Sequence, residues 1–225
     1  MIRIGLLQTG AFATAFYQRR ICALYGEKFQ INNDFLLELF PVNFDLINSY
    51  LPDGHDEIVE IIQPVLQMAG KSGITQMMVP NITLHEILDK MTGSFGFKWI
   101  HPITIGLENL KLRGAQCVSV LGTRHTMKRS YIRDHVEQAG MQVLDVTCQY
   151  IEVLDKLRLD VFAGSDRSEE LEKILQDLSP SVDALVLACT ELSLAAENTI
   201  VSNVVDLAKG QIKRAVEIQE CYLKA

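Results

Sequence analysis

Short apolar runs alternate along the chain with longer stretches whose apolar residues recur at helical spacing. The run over residues 184–188 (ALVLA) has no polar interruption, which is typical of a strand in a sheet covered on both faces. Runs of this kind predict strands over 2–7, 36–41, 74–79, 99–101, 117–121, 142–146 and 182–188.

The stretches between these strands have the length and periodicity of helices. They predict helices over 13–25, 56–71, 83–92, 104–113, 127–139, 150–162, 168–178, 191–197 and 206–223. Regular alternation of strand and helix predicts parallel strands joined by right-handed crossovers. The pattern therefore indicates the α/β class.

The chain also contains an internal repeat. Residues 4–9 (IGLLQT) resemble residues 118–123 (VSVLGT), 114 positions later. Residues 74–81 resemble residues 182–189 at an offset of 108, and the change of offset indicates loops of different length. Two unrelated parallel strands can look alike, but the repeat favours two diverged halves.

Two such halves predict two pseudo-symmetric lobes, each a short, mainly parallel sheet flanked by helices, with an active site in the cleft between them. The N-terminal lobe is expected to comprise residues 1–98 plus 207–225, and the C-terminal lobe residues 99–206.

The equivalent strands end in Thr9, Asn81, Thr123 and Cys189. In open parallel sheets, ligands bind beyond the carboxyl ends of the strands. If the lobes face each other, Asn81 and Cys189 approach one small molecule from opposite sides. This position distinguishes Cys189 from the other four cysteines, which are Cys22, Cys117, Cys148 and Cys221.

Composition narrows the functional class. The formal net charge of −7 and the lack of a Lys/Arg cluster argue against a nucleic-acid partner. We find no apolar run long enough for a membrane span and no signal-peptide pattern, so a cytoplasmic protein is expected. Five widely spaced cysteines without a C-x-x-C pair indicate reduced thiols, with no disulfide framework or metal site.

Four segments carry a family resemblance. Residues 187–192 (LACTEL) resemble the second cysteine motif of the aspartate/glutamate racemase family, and residues 79–85 (VPNITLH) resemble its first motif, Pro-Cys-Asn-Thr-x-His. Residues 122–127 (GTRHTM) resemble the middle segment, and 4–7 the opening strand. In the first motif Thr83 and His85 match, whereas Asn81 replaces the cysteine and Ile82 replaces the asparagine.

This resemblance implies racemisation of acidic amino acids, aspartate or glutamate, without a cofactor or metal. The family uses one cysteine on each face of the α-carbon, so Cys189 is the expected acid/base. A site of this kind needs hydrogen-bond donors around the substrate carboxylate, which becomes enediolate-like. Expected substrate-binding donors are Thr83, Thr123, Thr126 and Thr190, all of which could also serve as helix caps. Family members often form homodimers.

Other expected roles are less specific. Cys189 needs a depressed pKa, which a helix beginning near Thr190 could provide. Glu191 could accept the substrate ammonium or complement the helix N-terminus. His85 could orient a carboxylate, act as an acid, or be a histidine on the helix surface. Gln8, Thr9 and Ile82 are also expected at the substrate site. Candidate cations for a distal carboxylate are Arg124, Lys156 and Arg158.

Asn81 leaves three hypotheses open, because an amide cannot transfer a proton at neutral pH. The first is a racemase that treats the two enantiomers unequally, with Cys189 on one face and water or His85 on the other. The second is a single-cysteine decarboxylase or cis–trans isomerase of a small dicarboxylate. The third is a protein that binds an acidic amino acid without turning it over.

Overall fold

A computed structural model describes residues 2–29 and 37–223 of the chain. Among these residues it contains two four-stranded sheets in which every paired strand is parallel. The strands are β1 (Ile4–Gln8), β2 (Leu37–Pro41), β3 (Gln76–Met78), β4 (Lys98–Trp99), β5 (Cys117–Leu121), β6 (Gln142–Val143), β7 (Ala184–Leu187) and β8 (Val204–Asp206).

Helices connect and flank the strands, so the predicted α/β class with two sheets is confirmed. They are α1 (Ala11–Phe29), α2 (Phe44–Tyr50), α3 (His55–Lys71), α4 (Ile82–Leu88), α5 (Pro102–Leu112), α6 (Arg124–Lys128), α7 (Ser130–Gln138), α8 (Cys148–Phe162), α9 (Ser168–Leu178), α10 (Thr190–Ala195) and α11 (Leu207–Leu223). Within the described residues, no helix combines the length and apolar character needed to cross a bilayer.

The chain divides into two compact units. The first comprises Met1–His101 with Gln211–Ala225, and the second Pro102–Gly210. Each unit has a buried apolar cluster of its own. The second unit's cluster includes Cys189, packed with Leu187 and Leu192, so this thiol lies in a core.

The sequence repeat is confirmed by strand order and register. The first sheet has the order β2-β1-β3-β4 and the second the order β6-β5-β7-β8, so β1 corresponds to β5 and β3 to β7. Ile4 pairs with Gln76 in the first sheet, and Val118 pairs with Ala184 in the second. These pairs stand at the offsets read from the sequence, so the two halves share one register.

Helix α3 illustrates how the pattern produces the elements. Ile58, Ile62, Leu66 and Ala69 recur at three- or four-residue spacing, and all are buried against the first sheet's core. Asp56 lies in the first turn, where a negative charge complements the helix dipole.

Two local predictions were wrong, and one helix was not predicted. The single helix predicted over 127–139 is two helices, because Arg129 between them is extended (φ −88°, ψ 156°). Residues 204–206 form β8, and α11 begins only at Leu207. Helix α2 was not predicted. It is short, and the side chain of Asn43 caps it by accepting the N–H of Leu46. Leu36, predicted to begin a strand, lies outside the described residues.

Candidate functional site

Cys189 lies at the carboxyl end of β7, between the strand and α10. The strand is fully buried, and its direction continues through Ala188 into Cys189, which remains extended (φ −149°, ψ 129°) as the residue before the helix. The thiol residue is only 4% exposed. A strand buried on both faces therefore delivers a cysteine to the edge of the sheet at which ligands bind in this type of fold.

The thiol of Cys189 donates a hydrogen bond to Glu191 Oε2 at 3.0 Å. Burial, followed by the negative charge of Glu191, raises the pKa of Cys189 well above its ordinary value. The backbone N–H groups of Glu191 and Leu192 lower this pKa by a smaller amount. The predicted depression of the pKa is therefore wrong. Desolvation outweighs the few donors at the start of a six-residue helix.

Asn81 occupies the equivalent place in the first unit, after β3 and before α4. Its backbone (φ −151°, ψ 111°) is close to that of Cys189. Its side-chain Oδ1 accepts the backbone N–H of Leu84 at 3.0 Å, which caps α4. The oxygen is thus engaged by the helix, and the amide N–H is the group that Asn81 can offer to a ligand.

His85 is buried beneath Asn81 in the first unit, and it is only 1% exposed. Its Nδ1 lies 2.9 Å from the backbone oxygen of Asn81, so Nδ1 carries the proton and donates it to that carbonyl. Burial, and secondarily the neighbouring His101, lowers the pKa of His85 to about 3. The imidazole is therefore neutral at physiological pH. The alternative of a histidine on the helix surface was wrong, and a neutral ring is a poor acid.

His101 completes the group beneath Asn81. Its ring packs edge-on against His85 with centroids 4.9 Å apart, and its Nε2 lies 3.2 Å from Asp89 Oδ1. Within residues 2–29 and 37–223, His85 Nε2 has no hydrogen-bond partner.

The end of β1 contributes Gln8 and Thr9 to the first unit. Gln8 is half-buried, whereas Thr9 is 1% exposed and its Oγ1 has no partner in the described part of the chain. Gly10 follows with φ +86°, a conformation that favours glycine and lets α1 begin at once. An unpaired buried hydroxyl costs about 1–3 kcal/mol, so Thr9 is a candidate for a ligand contact.

The residues after Asn81 differ in exposure. Ile82 is the first residue of α4, and its side chain is buried. Thr83 is half-buried.

In the second unit, Thr123 caps α6. Its hydroxyl accepts the N–H of Thr126 at 3.0 Å, and the two hydroxyls lie 2.9 Å apart. A side chain at Gly122 would approach Ala188 O to 3.1 Å, so glycine there permits close packing against the residue before Cys189. Thr190, the first residue of α10, is buried as well.

The candidate cations are at the surface of the second unit or paired within it. Arg124 forms ion pairs with Glu152 and Asp155, and Arg158 donates to Asp155 Oδ1 at 2.9 Å. Lys156 is exposed. These contacts and exposures do not distinguish any of the three cations as the residue that binds a substrate carboxylate.

Sequence reasoning missed Ser193 and Asp206. Ser193 is fully buried, and its Oγ donates to Asp206 Oδ1 at 2.8 Å, at the end of β8. Burial is the main cause that raises the pKa of Asp206. The signal that could have identified Ser193 was the repeat itself, because Ser193 lies 108 residues after His85, as Cys189 lies after Asn81.

The structure thus joins several predicted residues within each unit. It brings Asn81 to His85 in the first unit, and Cys189 to Glu191 and Thr123 to Thr126 in the second.

Comparison with known proteins gives one family match and many structural likenesses. Residues 45–212 match the family model described as Asp/Glu/hydantoin racemase. No curated protein sequence matches the chain significantly. The fold resembles an aspartate racemase homologue from Pyrococcus horikoshii OT3 with a TM-score of 0.84 and 21% identity, covering 98% of this chain and 100% of that one.

Two further solved structures share the fold. The aspartate racemase of Picrophilus torridus has a TM-score of 0.77 and 17% identity, with 97% of this chain and 94% of that chain covered. The glutamate racemase of Francisella tularensis, in complex with D-glutamate, has a TM-score of 0.67 and 14% identity, with 98% and 82% covered.

Proposed function

The chain belongs to the family of Asp/Glu/hydantoin racemases, and from this premise we propose that it racemises or epimerises an acidic amino acid, aspartate or glutamate, without a cofactor. Family membership makes the protein an isomerase of the racemase type. The substrate, the catalytic residues and the inequality between enantiomers described below are our proposal.

The observation that carries the proposal is the contact between Cys189 and Glu191. A protonated, buried thiol at a strand end can deliver a proton to a carbanion on its own side of the substrate. The carboxylate that accepts its hydrogen bond at 3.0 Å can take up the same proton when a thiolate is needed. Cys189 is the main acid/base, and Glu191 is its proton partner.

The role of Cys189 in proton transfer differs between the two substrate enantiomers. When the substrate α-proton faces Cys189, the thiol first passes its proton to Glu191, and the thiolate then abstracts the α-proton. When the α-proton leaves from the opposite face, the resting thiol of Cys189 protonates the carbanion. Each turnover moves one proton off one face of the α-carbon and one onto the other. Solvent restores the starting state by taking the proton from Glu191 in the first case and by returning a proton to the Cys189 thiolate in the second.

The opposite face has no thiol in this proposal. Asn81 cannot transfer a proton, and the neutral imidazole of His85 is a poor acid and a weak base. We assign proton transfer on that face to a water molecule held by Asn81 and Thr83. The equilibrium ratio of enantiomers is fixed by the reactants, so the asymmetry affects rates and KM values only.

The carboxylate that becomes enediolate-like requires hydrogen-bond donors directed at its oxygens. Thr83, Thr123, Thr126 and Thr190 are our candidates, supported by their positions at helix starts after strand ends. In this proposal the same substrate site includes Gln8, Thr9 and Ile82.

We also propose that the protein works as a homodimer. Size-exclusion chromatography with light scattering would test this oligomeric state.

The deciding experiment is incubation of the protein with L- and D-aspartate and L- and D-glutamate in deuterated water. We expect deuterium at the α-carbon and loss of optical activity, at unequal rates for the two enantiomers. The D-glutamate complex of the Francisella enzyme makes glutamate a substrate to include. Absence of exchange from all four amino acids would falsify the proposal.

A second function is favoured by Asn81, which supplies an amide donor where a second thiol would stand. A single thiol suffices for decarboxylation of a malonate-like acid or for cis–trans isomerisation of a small dicarboxylate. Assays with substituted malonates and with maleate test it, and turnover must disappear in Cys189→Ala. A thermal shift with these acids or with amino acids, without any turnover, would instead identify a protein that only binds its ligand.

A further inference from the structure

The structural repeat extends to two pairs of buried side chains. In the first unit the histidine pair is His85 and His101, and in the second the serine–aspartate pair is Ser193 and Asp206. His85 and Ser193 each lie four residues after the strand-end residue, on α4 and α10. His101 and Asp206 each lie two residues after an equivalent residue of β4 and β8.

The first member of each pair contacts the backbone carbonyl of its strand-end residue. His85 Nδ1 donates to Asn81 O at 2.9 Å. In the second unit, the N–H of Ser193 donates to Cys189 O at 3.0 Å, and Ser193 Oγ lies 3.2 Å from the same oxygen. In both halves, therefore, the residue four positions after the strand-end residue contacts the backbone carbonyl of that strand-end residue.

We infer that Ser193 and Asp206 are positioning residues for Cys189. They fix the backbone of Cys189 so that its thiol keeps the hydrogen bond to Glu191. The inference rests on the proposed role of Cys189. Neither residue touches the substrate in this proposal. They set the direction of the thiol, and His85 has the corresponding relation to Asn81.

Asp206 is suited to this role because Ser193 and Lys209 link it to the two ends of α10. Its Oδ1 accepts Ser193 Oγ at 2.8 Å, and Ser193 contacts Cys189 at the start of the helix. The same oxygen accepts the backbone N–H of Lys209 at 2.9 Å. Lys209 Nζ in turn donates to Ala196 O at 2.6 Å, at the end of the helix.

The arrangement is costly as a purely structural device. Asp206 is a carboxylate in a buried environment, where a charge is expensive unless it is well paired. Its Oδ2 has no hydrogen-bond partner in the described part of the chain, and Lys209 Nζ lies 3.8 Å away. An apolar residue of similar volume would avoid this cost, but it would accept neither the Ser193 hydroxyl nor the Lys209 N–H in the first turn of α11.

The test compares Ser193→Ala with Ser119→Ala. Both remove a buried serine hydroxyl in the second unit that contacts a backbone carbonyl. Ser119 Oγ, however, donates to Leu144 O at 2.7 Å, on the β6 side of the sheet. We expect Ser193→Ala to lower kcat about tenfold, the effect of one lost hydrogen bond, with KM little changed. Ser119→Ala should keep kcat within about twofold even if it lowers Tm similarly.

A second readout does not depend on turnover. The rate at which iodoacetamide alkylates Cys189 in the folded protein, resolved from the exposed cysteines by peptide mass spectrometry, reports how firmly the thiol is held. Ser193→Ala should raise this rate several-fold, and Ser119→Ala should not. Asp206→Asn, which keeps an acceptor for Ser193, should retain most of the kcat that Asp206→Ala loses.

The outcomes separate the two proposals. If the wild-type protein exchanges no amino acid but Ser193→Ala alone accelerates alkylation, the positioning role stands and the racemase proposal fails. If the wild-type protein is active and both serine variants behave alike in kcat and alkylation, the positioning role is overturned. Should Ser193→Ala not fold, the Asp206→Asn and Asp206→Ala pair decides by the same two measurements.

Discussion

The two strand-end sites have similar backbone conformations but different side-chain chemistry. Asn81 and Cys189 follow equivalent strands in sheets of the same order, with closely similar φ and ψ, and each precedes a short helix. Around Asn81 the neighbours are His85, neutral in its buried site, and His101. Around Cys189 they are two acids, Glu191 and Asp206.

This difference shows what the repeat has retained. Strand register and the geometry of the residue after the strand are properties of the sheet, and both halves keep them. The identity of that residue decides whether the site can move a proton. In our proposal the first site binds and orients the substrate, whereas the second also exchanges a proton with it.

The largest expected effect comes from removing the thiol. Cys189→Ala should lower racemisation of both enantiomers, and α-proton exchange of the enantiomer whose α-proton faces Cys189, by about 10³-fold or more, because in the proposal the thiol transfers the proton on that face. Cys189→Ser keeps the size and a hydroxyl, and should be nearly as inactive. Deuterium incorporation measured by NMR checks both variants. Racemisation that survives in both variants would remove Cys189 from the mechanism.

Glu191→Gln should have the next largest effect. It preserves shape but removes the charge that accepts the thiol proton, so exchange of the enantiomer that needs a thiolate should fall about 10²-fold. The charge of Glu191 raises the pKa of Cys189, so the variant should also lower that pKa. Alkylation of Cys189 as a function of pH measures the shift. An unchanged profile would mean that the carboxylate does not act on the thiol.

Asn81→Cys tests the first site directly. If Asn81 faces the substrate opposite Cys189, a thiol there should raise exchange from the poorer enantiomer about tenfold and make the two rates more equal. Asn81→Ser is the matched control, since it can still cap α4 but brings no thiol. Equal behaviour of the two variants would place Asn81 away from the α-carbon.

The α/β class and the repeat could be read from the sequence because both depend on periodicity and length. The run 184–188 and its counterpart over 74–79 end where the structure places Cys189 and Asn81. Asp206 was assigned to a helix, and residues 204–205 to no element, because a three-residue strand is too short to show a period of two. The break between α6 and α7 depends on the backbone angles of one residue, Arg129. The pattern of apolar residues does not predict such a local change.

The chemistry of the site was harder to predict. The helix after Cys189 was visible in the sequence, but the depth of burial that decides the thiol pKa depends on tertiary packing. Asp206 was taken as the start of a helix, so its approach to Ser193, thirteen residues earlier, could not be seen. Long-range pairing of single polar side chains carries no periodic signal.

The smallest expected effect concerns the histidine of the first site and the stability of the fold. His85 has a pKa of about 3 in the folded protein and an ordinary value of 6.5, so between these limits the unfolded chain binds more protons. Stability from this residue is therefore fully present above pH 6.5 and is lost as pH falls, by up to about 1.4 kcal/mol per pH unit. Urea unfolding at pH values of roughly 7.5, 6.5, 5.5 and 4.5 measures how the free energy of unfolding changes with pH across this window.

His85→Gln should flatten this dependence, because glutamine does not titrate, while it can still donate toward Asn81 O. His55→Gln, the same substitution at the more exposed start of α3, is the control for loss of a histidine elsewhere in the first unit. The second unit has no histidine under Cys189, since Ser193 stands at that position, so the acid-sensitive support belongs to the Asn81 site. If His85→Gln keeps the full slope, the ring is not held neutral in the folded protein, and His85 becomes available again as an acid opposite Cys189.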